Sequence, residues 1–173
     1  MLHPTAYDTS VSLQYGEKAY LIDMWHDVPS VGGNTVVYTE WAMLPKGNPF
    51  ETVVPHLAAC IGKMLDANHQ NIPQEDQNDY SKQLHLVCAL ADKKKTANSF
   101  RLNCEIVEVR LNKSSSTIKI IPLERLRGGE VGRSVAELPM PEKEGEGAEL
   151  AKRMIPILNK NLEQWLSMSK RKG

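Results

Sequence analysis

The segment Asn48-Pro49-Phe50-Glu51 decides the fold, because it starts a helix directly after a region of predicted strands. Asn48 can cap a helix, Pro49 suits the first helical position, and the Glu51 side chain can return a hydrogen bond to complete a capping box. Apolar residues then recur at helical spacing, namely Phe50, Val53, Val54, Leu57, Ala58, Ile61 and Leu65. Pro55 removes one backbone donor inside this pattern, so we predict a kink, or a short first turn before a main helix from Pro55 to about Asn68.

Three strands are predicted before this helix. Val11, Leu13 and Tyr15 alternate with polar residues, which is typical of a half-buried strand. Residues 19–25 are almost continuously apolar, and residues 35–44 are rich in β-branched and aromatic side chains. Two further β segments are therefore expected, with a loop between them at residues 29–34, where Gly and Pro cluster.

A second β region is predicted after the helix, beyond a polar segment at residues 69–81 that indicates an exposed loop. Residues 84–90 alternate in a way that predicts a buried strand, with Leu84, Leu86, Cys88 and Leu90 on one face and His85, Val87 and Ala89 on the other. A strand over residues 100–111 follows, and its apolar set changes face after Ile106, which predicts a bulge or a strong bend. Residues 117–121 are expected to pair back on it as a hairpin.

The predicted fold is α+β, with a mostly antiparallel sheet, one central helix packed on it and a C-terminal helix after a flexible linker. We place an α+β core domain at residues 1–126. Residues 127–147 are rich in Gly, Pro and Glu and predict a linker or mobile loop. Residues 148–173 predict a C-terminal helix with a basic end, kinked at Pro156, which we expect to pack on the core.

The 173 residues carry no net formal charge, but the two halves of the chain have opposite charge. Residues 1–92 hold four Lys and eleven acids, a net charge of −7, whereas residues 93–173 hold seventeen basic residues and ten acids, a net charge of +7. Such asymmetry predicts either cancellation within the fold or two surfaces for two partners, a second copy of the chain included.

Composition also limits where the protein is expected to act. No segment has the length of apolar sequence that crosses a membrane, and the first ten residues lack the pattern of a signal peptide. Three Cys in no metal-binding spacing indicate buried thiols in a reducing compartment. We therefore expect an intracellular, cytoplasmic protein.

No sequence motif of a known catalytic or cofactor site is present, so we predict no enzyme activity and no cofactor. Asp23, His26 and Asp27 offer possible metal ligands, but such groups are common by chance, and no metal site is predicted. His56 and Cys60 share a helical face, which could serve metal binding or a Cys–His pair, but a buried structural thiol is the preferred interpretation of Cys60. His85 and Cys88 are expected on opposite faces of their strand.

Basic residues predict binding to a polyanion, either a nucleic acid or an anionic membrane surface. The candidate residues are Lys93, Lys94, Lys95, Arg101, Arg125, Arg127, Lys170, Arg171 and Lys172. The acidic residues Glu75, Asp76 and Asp79 are the candidates for a self-association patch that meets basic surfaces of neighbouring copies.

The order of elements resembles the matrix proteins of rhabdoviruses, particularly those of plant cytorhabdoviruses. The similar parts are the strand at residues 38–44 that enters a helix through Lys46-Gly47-Asn48-Pro49-Phe50, the predicted strand at residues 84–91 with the basic loop 93–96, and the hairpin at residues 100–121. The resemblance implies a non-enzymatic protein of the virion and host cytoplasm. It also implies that the protein self-associates, contacts a nucleocapsid protein or RNA, and touches a membrane peripherally.

Two other functions remain open at this point. One is a small α+β ligand-binding domain or enzyme with a pocket near His26 or His56. The other is a phage or bacterial accessory module that binds one protein through its C-terminal helix. The preferred hypothesis is a non-enzymatic structural protein that self-associates and bridges a nucleocapsid and a membrane.

Overall fold

A computed structural model describes residues 8–28, 33–67, 75–112, 115–126, 129–140 and 146–169. Within them it contains seven strands and four helices, and every strand pair is antiparallel. The strands are β1 (Thr9–Tyr15), β2 (Ala19–Val28), β3 (Gly33–Met43), β4 (Glu105–Asn112), β5 (Thr117–Leu126), β6 (Gly129–Gly132) and β7 (Ala136–Pro139). The helices are α1 (Phe50–Asp66), α2 (Glu75–Ala91), α3 (Ala97–Asn103) and α4 (Gly147–Met168). The predicted α+β class is confirmed.

The sheet has the strand order β3-β2-β1-β4-β5-β6, and β7 pairs with β5. β1 lies at its centre, with Val11 opposite Met24 of β2 on one side and opposite Val109 of β4 on the other. Because side chains alternate along a strand, each strand contributes residues to both faces of the sheet.

Helices α1 and α4 cover the first face and form the larger core. Leu57 and Ile61 of α1, Leu158 and Leu162 of α4 and Leu13 of β1 all lie in this apolar cluster, and none is more than 1% exposed. The two helices meet closely at a pair of glycines. A Cβ atom on Gly62 would collide with the backbone carbonyl oxygen of Gly147, and the reverse also holds, so only glycine fits there.

Helices α2 and α3 cover part of the second face with a smaller apolar cluster. Its buried residues are Ala19, Leu21, Cys88, Ala89, Phe100, Cys104 and Ile106. The end of α2 is tied to the turn between β1 and β2, because the buried Asp92 Oδ1 accepts backbone N–H groups from Lys18 at 2.6 Å and Ala19 at 2.9 Å.

The strand predicted at residues 84–90 is wrong, because these residues form the second half of α2. The error has a physical origin: α2 carries apolar residues on its buried side and also on its solvent side. A helix with apolar residues on both sides shows no clear 3.6-residue period, and its sequence resembles a buried strand. One part of the layout that resembles the matrix proteins, a strand at residues 84–91, is therefore absent.

Two neighbouring predictions change for related reasons. Residues 100–103 belong to α3, and β4 pairs with β1 without a register shift from Glu105 to Leu111, so the predicted bulge is wrong: Ile106 and Val107 lie on opposite faces by the ordinary alternation of a strand. The part of the predicted loop from Glu75 to Ser81 is the start of α2. Strands β6 and β7 form within residues 127–147.

The helix that starts at Phe50 is confirmed, and it runs through Pro55 without a break. Asn48 Oδ1 accepts the Phe50 N–H at 3.1 Å, while the N-cap position of the helix is Pro49, which has no side-chain cap. Helix α4 likewise runs through Pro156. Among the residues that the structure describes, no helix combines the length and apolarity that crossing a bilayer requires.

Candidate functional site

A buried polar network fixes the inner side of α2 on the sheet. The Asp23 carboxylate on β2 accepts hydrogen bonds from Thr39 Oγ1 at 2.8 Å and Gln14 Nε2 at 3.0 Å, and His85 Nε2 lies 2.9 Å from its Oδ1. Ser81, one turn before His85, exchanges a hydrogen bond with Thr39. We call these five residues the Asp23 network; it attaches two successive turns of α2 to the sheet and sets the rotation of the helix.

The C-terminal end of α2 is closed by a Schellman motif. The Lys93 N–H bonds to the Leu90 carbonyl at 3.0 Å and the Lys94 N–H bonds to the Ala89 carbonyl at 2.8 Å. Lys93 takes the left-handed conformation, with φ of 63°, that this motif requires. The basic triplet therefore turns away from the helix axis directly after its last turn.

The opposite side of α2 exposes large apolar side chains to solvent. Tyr80 is 62% exposed, Leu86 45%, Val87 43% and Leu90 54%. Tyr80 and Val87 lie seven positions apart, Leu86 and Leu90 four, and Val87 and Leu90 three, so the four residues fall on one side of the helix. We call this set the outer face of α2. Apolar patches on a protein surface mark interaction sites more often than single exposed apolar residues do.

Opposite charges lie at the two ends of the outer face. Asp79 is exposed before it, and Lys93 and Lys95 are exposed after it. Glu75 and Asp76 belong to the first turn of α2, although their side chains lie outside the described residues. Acids at the start and cations at the end of a helix also stabilise it through the helix dipole.

The residues predicted to bind polyanions fall into three groups: those that are paired with acids, those that are exposed, and those that lie outside the described residues. Lys94 makes ion pairs with Glu17 at 3.6 Å and Asp92 at 3.8 Å. Arg101 donates two hydrogen bonds to the carboxylate of Glu130, at 2.8 and 2.7 Å. Lys93 and Lys95 are exposed. The Arg125 side chain, Arg127, and the cluster Lys170, Arg171 and Lys172 lie outside the described residues.

Asp23, His26 and Asp27, near the end of β2, do not form one cluster. Asp23 faces α2, whereas His26 is buried on the other face of the sheet, where it lies opposite Thr9 of β1. Asp27 is exposed. His85 and Cys88 lie three residues apart on a helix, so the prediction that they occupy opposite faces of a strand is also wrong.

Among the described residues, one group of Glu, His and Cys lies close enough to share a metal ion. Cys60 Sγ lies 3.1 Å from Glu40 Oε2, and His56 Nε2 lies 3.7 Å from Glu40 Oε1. The Tyr20 hydroxyl lies 2.8 Å from His56 Nδ1. Burial, and then the neighbouring Glu40, raise the pKa of the Cys60 thiol well above its ordinary value, so without a metal the thiol stays protonated and donates to Glu40.

Two surface cavities lie away from the predicted pocket positions. One of about 390 Å³ is lined by Val36, Ser81, Lys82, His85 and Ala97. The other, of about 500 Å³, is lined by Pro122, Glu124, Val131, Gly132, Arg133, Val135 and Met168. Neither lining includes His26 or His56, the residues near which the sequence predicted a pocket.

Comparison with known proteins finds no match for this chain among protein-family models, curated protein sequences or solved structures. The candidate site is therefore defined by its chemistry alone.

The outer face of α2 does not follow from the sequence pattern, because the alternation at residues 84–90 predicts a strand. The charges in the sequence nevertheless indicate a helix in this region. Three acids within residues 75–79 and three lysines at 93–95 show the charge bias of a helix that begins and ends between them.

Proposed function

We propose that this protein is a non-enzymatic structural protein that self-associates through the outer face of α2. One observation carries the proposal: an apolar helix face with acids at one end and lysines at the other. A surface of this kind is complementary to itself when two copies meet in an antiparallel arrangement, which is the arrangement of a two-fold symmetric dimer.

The spacing of the charges fits that arrangement. Asp79 lies seven residues before Leu86, and Lys93 lies seven residues after it. Two antiparallel α2 helices that cross at Leu86 therefore place Asp79 of one copy opposite Lys93 of the other, twice in each dimer. The 17-residue helix is about 25 Å long; Asp79 lies in its second turn and Lys93 lies two residues beyond its end at Ala91, so the charge pairs fall near the two ends of the contact.

The Asp23 network supports this proposal by fixing the rotation of α2. Ser81 and His85 are held against the sheet, so Tyr80, Val87 and Leu90 stay directed to solvent. A face that is already ordered before binding loses little conformational entropy when a second copy covers it.

In its most specific form, the proposed protein is matrix-like and bridges a nucleocapsid and a membrane. This form rests on the sequence resemblance and on the basic residues that remain when Lys93 pairs with a second copy. Lys95 is exposed beside the dimer contact. The sequence adds Lys170, Arg171 and Lys172 as further candidates for a polyanion contact.

A pair of matched variants tests the self-association. Val87 and Val135 are both 43% exposed, but only Val87 lies on the outer face of α2. Sedimentation equilibrium should show a reversible dimer for the wild type, and Val87→Glu should weaken dimerisation at least about tenfold because it buries a charge in the contact. Val135→Glu should leave it unchanged. A wild type that is monomeric at all accessible concentrations would overturn the proposal.

A charge exchange tests the antiparallel geometry. Asp79→Lys and Lys93→Asp should each weaken the dimer, since each places like charges opposite one another. The double variant restores the opposite-charge pairs and should recover affinity, and Asp tolerates the left-handed conformation at position 93. Additive losses in the double variant would contradict the proposed geometry.

Polyanion binding needs separate measurements with RNA and with anionic phospholipid vesicles. In the matrix-like form, either RNA retention or vesicle flotation should occur at low salt and fall as salt rises, and Lys95→Glu should weaken it. Binding to neither probe would leave the self-associating protein but remove the matrix-like form.

A further inference from the structure

We infer that Glu40, His56 and Cys60 form a binding site for a divalent cation of the zinc class, which we call the Glu40 cluster. The site is distinct from the outer face of α2, because it lies on the opposite side of the sheet. The set supplies one carboxylate, one imidazole and one thiol, which are the three side-chain types that Zn²⁺ binds in proteins.

Secondary structure places these groups together. His56 and Cys60 lie four residues apart on α1, so they share one side of the helix across a single turn. Glu40 reaches the same point from β3, the strand at the edge of the sheet. The cluster therefore joins an edge strand to the helix that covers it.

The distances fit tetrahedral coordination. Zinc bonds of about 2.3 Å to sulfur and about 2.0–2.1 Å to nitrogen or oxygen place neighbouring ligand atoms roughly 3.3–3.6 Å apart. The Cys60 Sγ to Glu40 Oε2 distance is 3.1 Å, the His56 Nε2 to Glu40 Oε1 distance is 3.7 Å, and all ligand atoms lie within 4.8 Å of one another. The two short distances end on different Glu40 oxygens, and the ligand atoms lie within about 1.5 Å of the tetrahedral spacing, a difference that rotation of the partly exposed Glu40 and His56 side chains can close.

Tyr20 orients His56 for metal binding. Its hydroxyl lies 2.8 Å from His56 Nδ1, and its ring meets the imidazole edge to face with centroids 5.5 Å apart. In the metal-bound form, Nδ1 keeps its proton and donates a hydrogen bond to the Tyr20 oxygen, which leaves the Nε2 lone pair for the metal. Partners of this kind fix the ligand tautomer in known metal sites.

Access and charge also suit a metal ion. The Glu40 side chain is 43% exposed and that of His56 is 26% exposed, so the cation can enter from solvent and keep a water as its fourth ligand. Cys60 forms the closed, buried side of the site. On binding, the S–H bond breaks, sulfur forms the bond to the metal, and the proton passes to solvent. The nearby cation Lys63 is held over the Tyr38 ring, with its Nζ 3.9 Å from the ring centroid, so its charge has a partner outside the Glu40 cluster.

Cobalt(II), a spectroscopic substitute for zinc, tests the site directly. Titration of the full chain under a phosphine reductant should produce a thiolate-to-cobalt charge-transfer band in the near ultraviolet, which stoichiometric Zn²⁺ should abolish. Absence of this band in the wild type would overturn the inference.

Variants then assign the ligands. Cys60→Ser should remove the band, whereas Cys88→Ala should retain it, because Cys88 is an equally buried thiol on the other face of the sheet. Glu40→Gln and His56→Asn change partly exposed side chains and should weaken cobalt binding at least tenfold in a chain that stays folded by circular dichroism. Tyr20→Phe should weaken it about 10- to 100-fold with the band retained. A band that survives Cys60→Ser, or that is lost in Cys88→Ala, would place the metal elsewhere.

Discussion

The two faces of the sheet are covered by helices that are attached in opposite ways. On the first face, α1 presents its apolar side to the sheet and to α4, and the contact is mainly hydrophobic, with the Glu40 cluster at the edge strand as its polar part. On the second face, α2 attaches through the Asp23 network and a small apolar cluster, while its outer face keeps large apolar side chains in solvent. The first face therefore holds the larger apolar core, whereas the second face leaves apolar side chains uncovered, as the proposed self-association requires.

The largest difference between the two faces should be the loss of unfolding free energy when a leucine is replaced by alanine. Leu57 of α1 is fully buried, and Leu57→Ala should cost about 2–5 kcal/mol of unfolding free energy because it leaves a cavity. Leu90→Ala, on the outer face of α2, should cost less than about 0.5 kcal/mol in the monomer. Urea denaturation at a concentration where the wild type is monomeric measures both. Equal losses would mean that the outer face is packed within one chain.

Removal of the central carboxylate tests how α2 is attached. Asp23→Ala leaves Gln14, Thr39 and His85 without their shared acceptor, so we expect a loss of about 1–3 kcal/mol. Hydrogen exchange should show that α2 loses protection more than α1 does. Asp27→Ala changes an exposed acid of the same strand and is the matched control. A loss spread evenly over both helices would contradict a local role for the Asp23 network.

Two buried thiols with a raised pKa, Cys60 on the first face and Cys88 on the second, predict a loss of stability at alkaline pH. Burial is the main cause for both thiols; it raises the pKa of Cys88 from 9.0 to about 12, and the pKa of Cys60 rises in the same direction. A raised pKa in the folded state favours the protonated, folded form. The stabilisation is complete below pH 9 and is lost as the pH rises from 9 towards 12.

The size of this loss is limited by the titration of one proton for each thiol. The unfolding free energy should fall by up to about 1.4 kcal/mol per pH unit for each group in that range. Cys88→Ala should flatten the decline, measured by urea denaturation at several pH values between 8 and 11. If the unfolding free energy of this variant falls with pH as steeply as that of the wild type, the pKa of Cys88 is not raised in the folded protein.

The local sequence was sufficient to predict those elements whose apolar residues recur with a single period. Helix α1 has one apolar side and starts directly after Asn48-Pro49, and β1 alternates strictly between faces, so both were predicted near their true bounds. Helix α2 could not be predicted in this way. Its buried and exposed sides both carry apolar residues, and the two overlaid patterns give the alternation of a strand.

The candidate sites depended on contacts between residues far apart in the chain. His85 meets Asp23 across 62 positions, and Cys60 meets Glu40 across 20. His56 and Cys60 could be paired from the sequence because a helix repeats every 3.6 residues. No local period could add Glu40 or Tyr20 to them.

The sequence by itself determined the α+β class, the helices at α1 and α4, the first three strands and the opposite charges of the two halves, because these follow from local periodicity and composition. The tertiary structure alone decided that residues 84–90 are helical, which side of α2 faces solvent, and which side chains meet at Asp23 and Glu40. The physical reason is that burial depends on the neighbours that the whole chain brings together, whereas a local pattern records only which residues prefer to be buried.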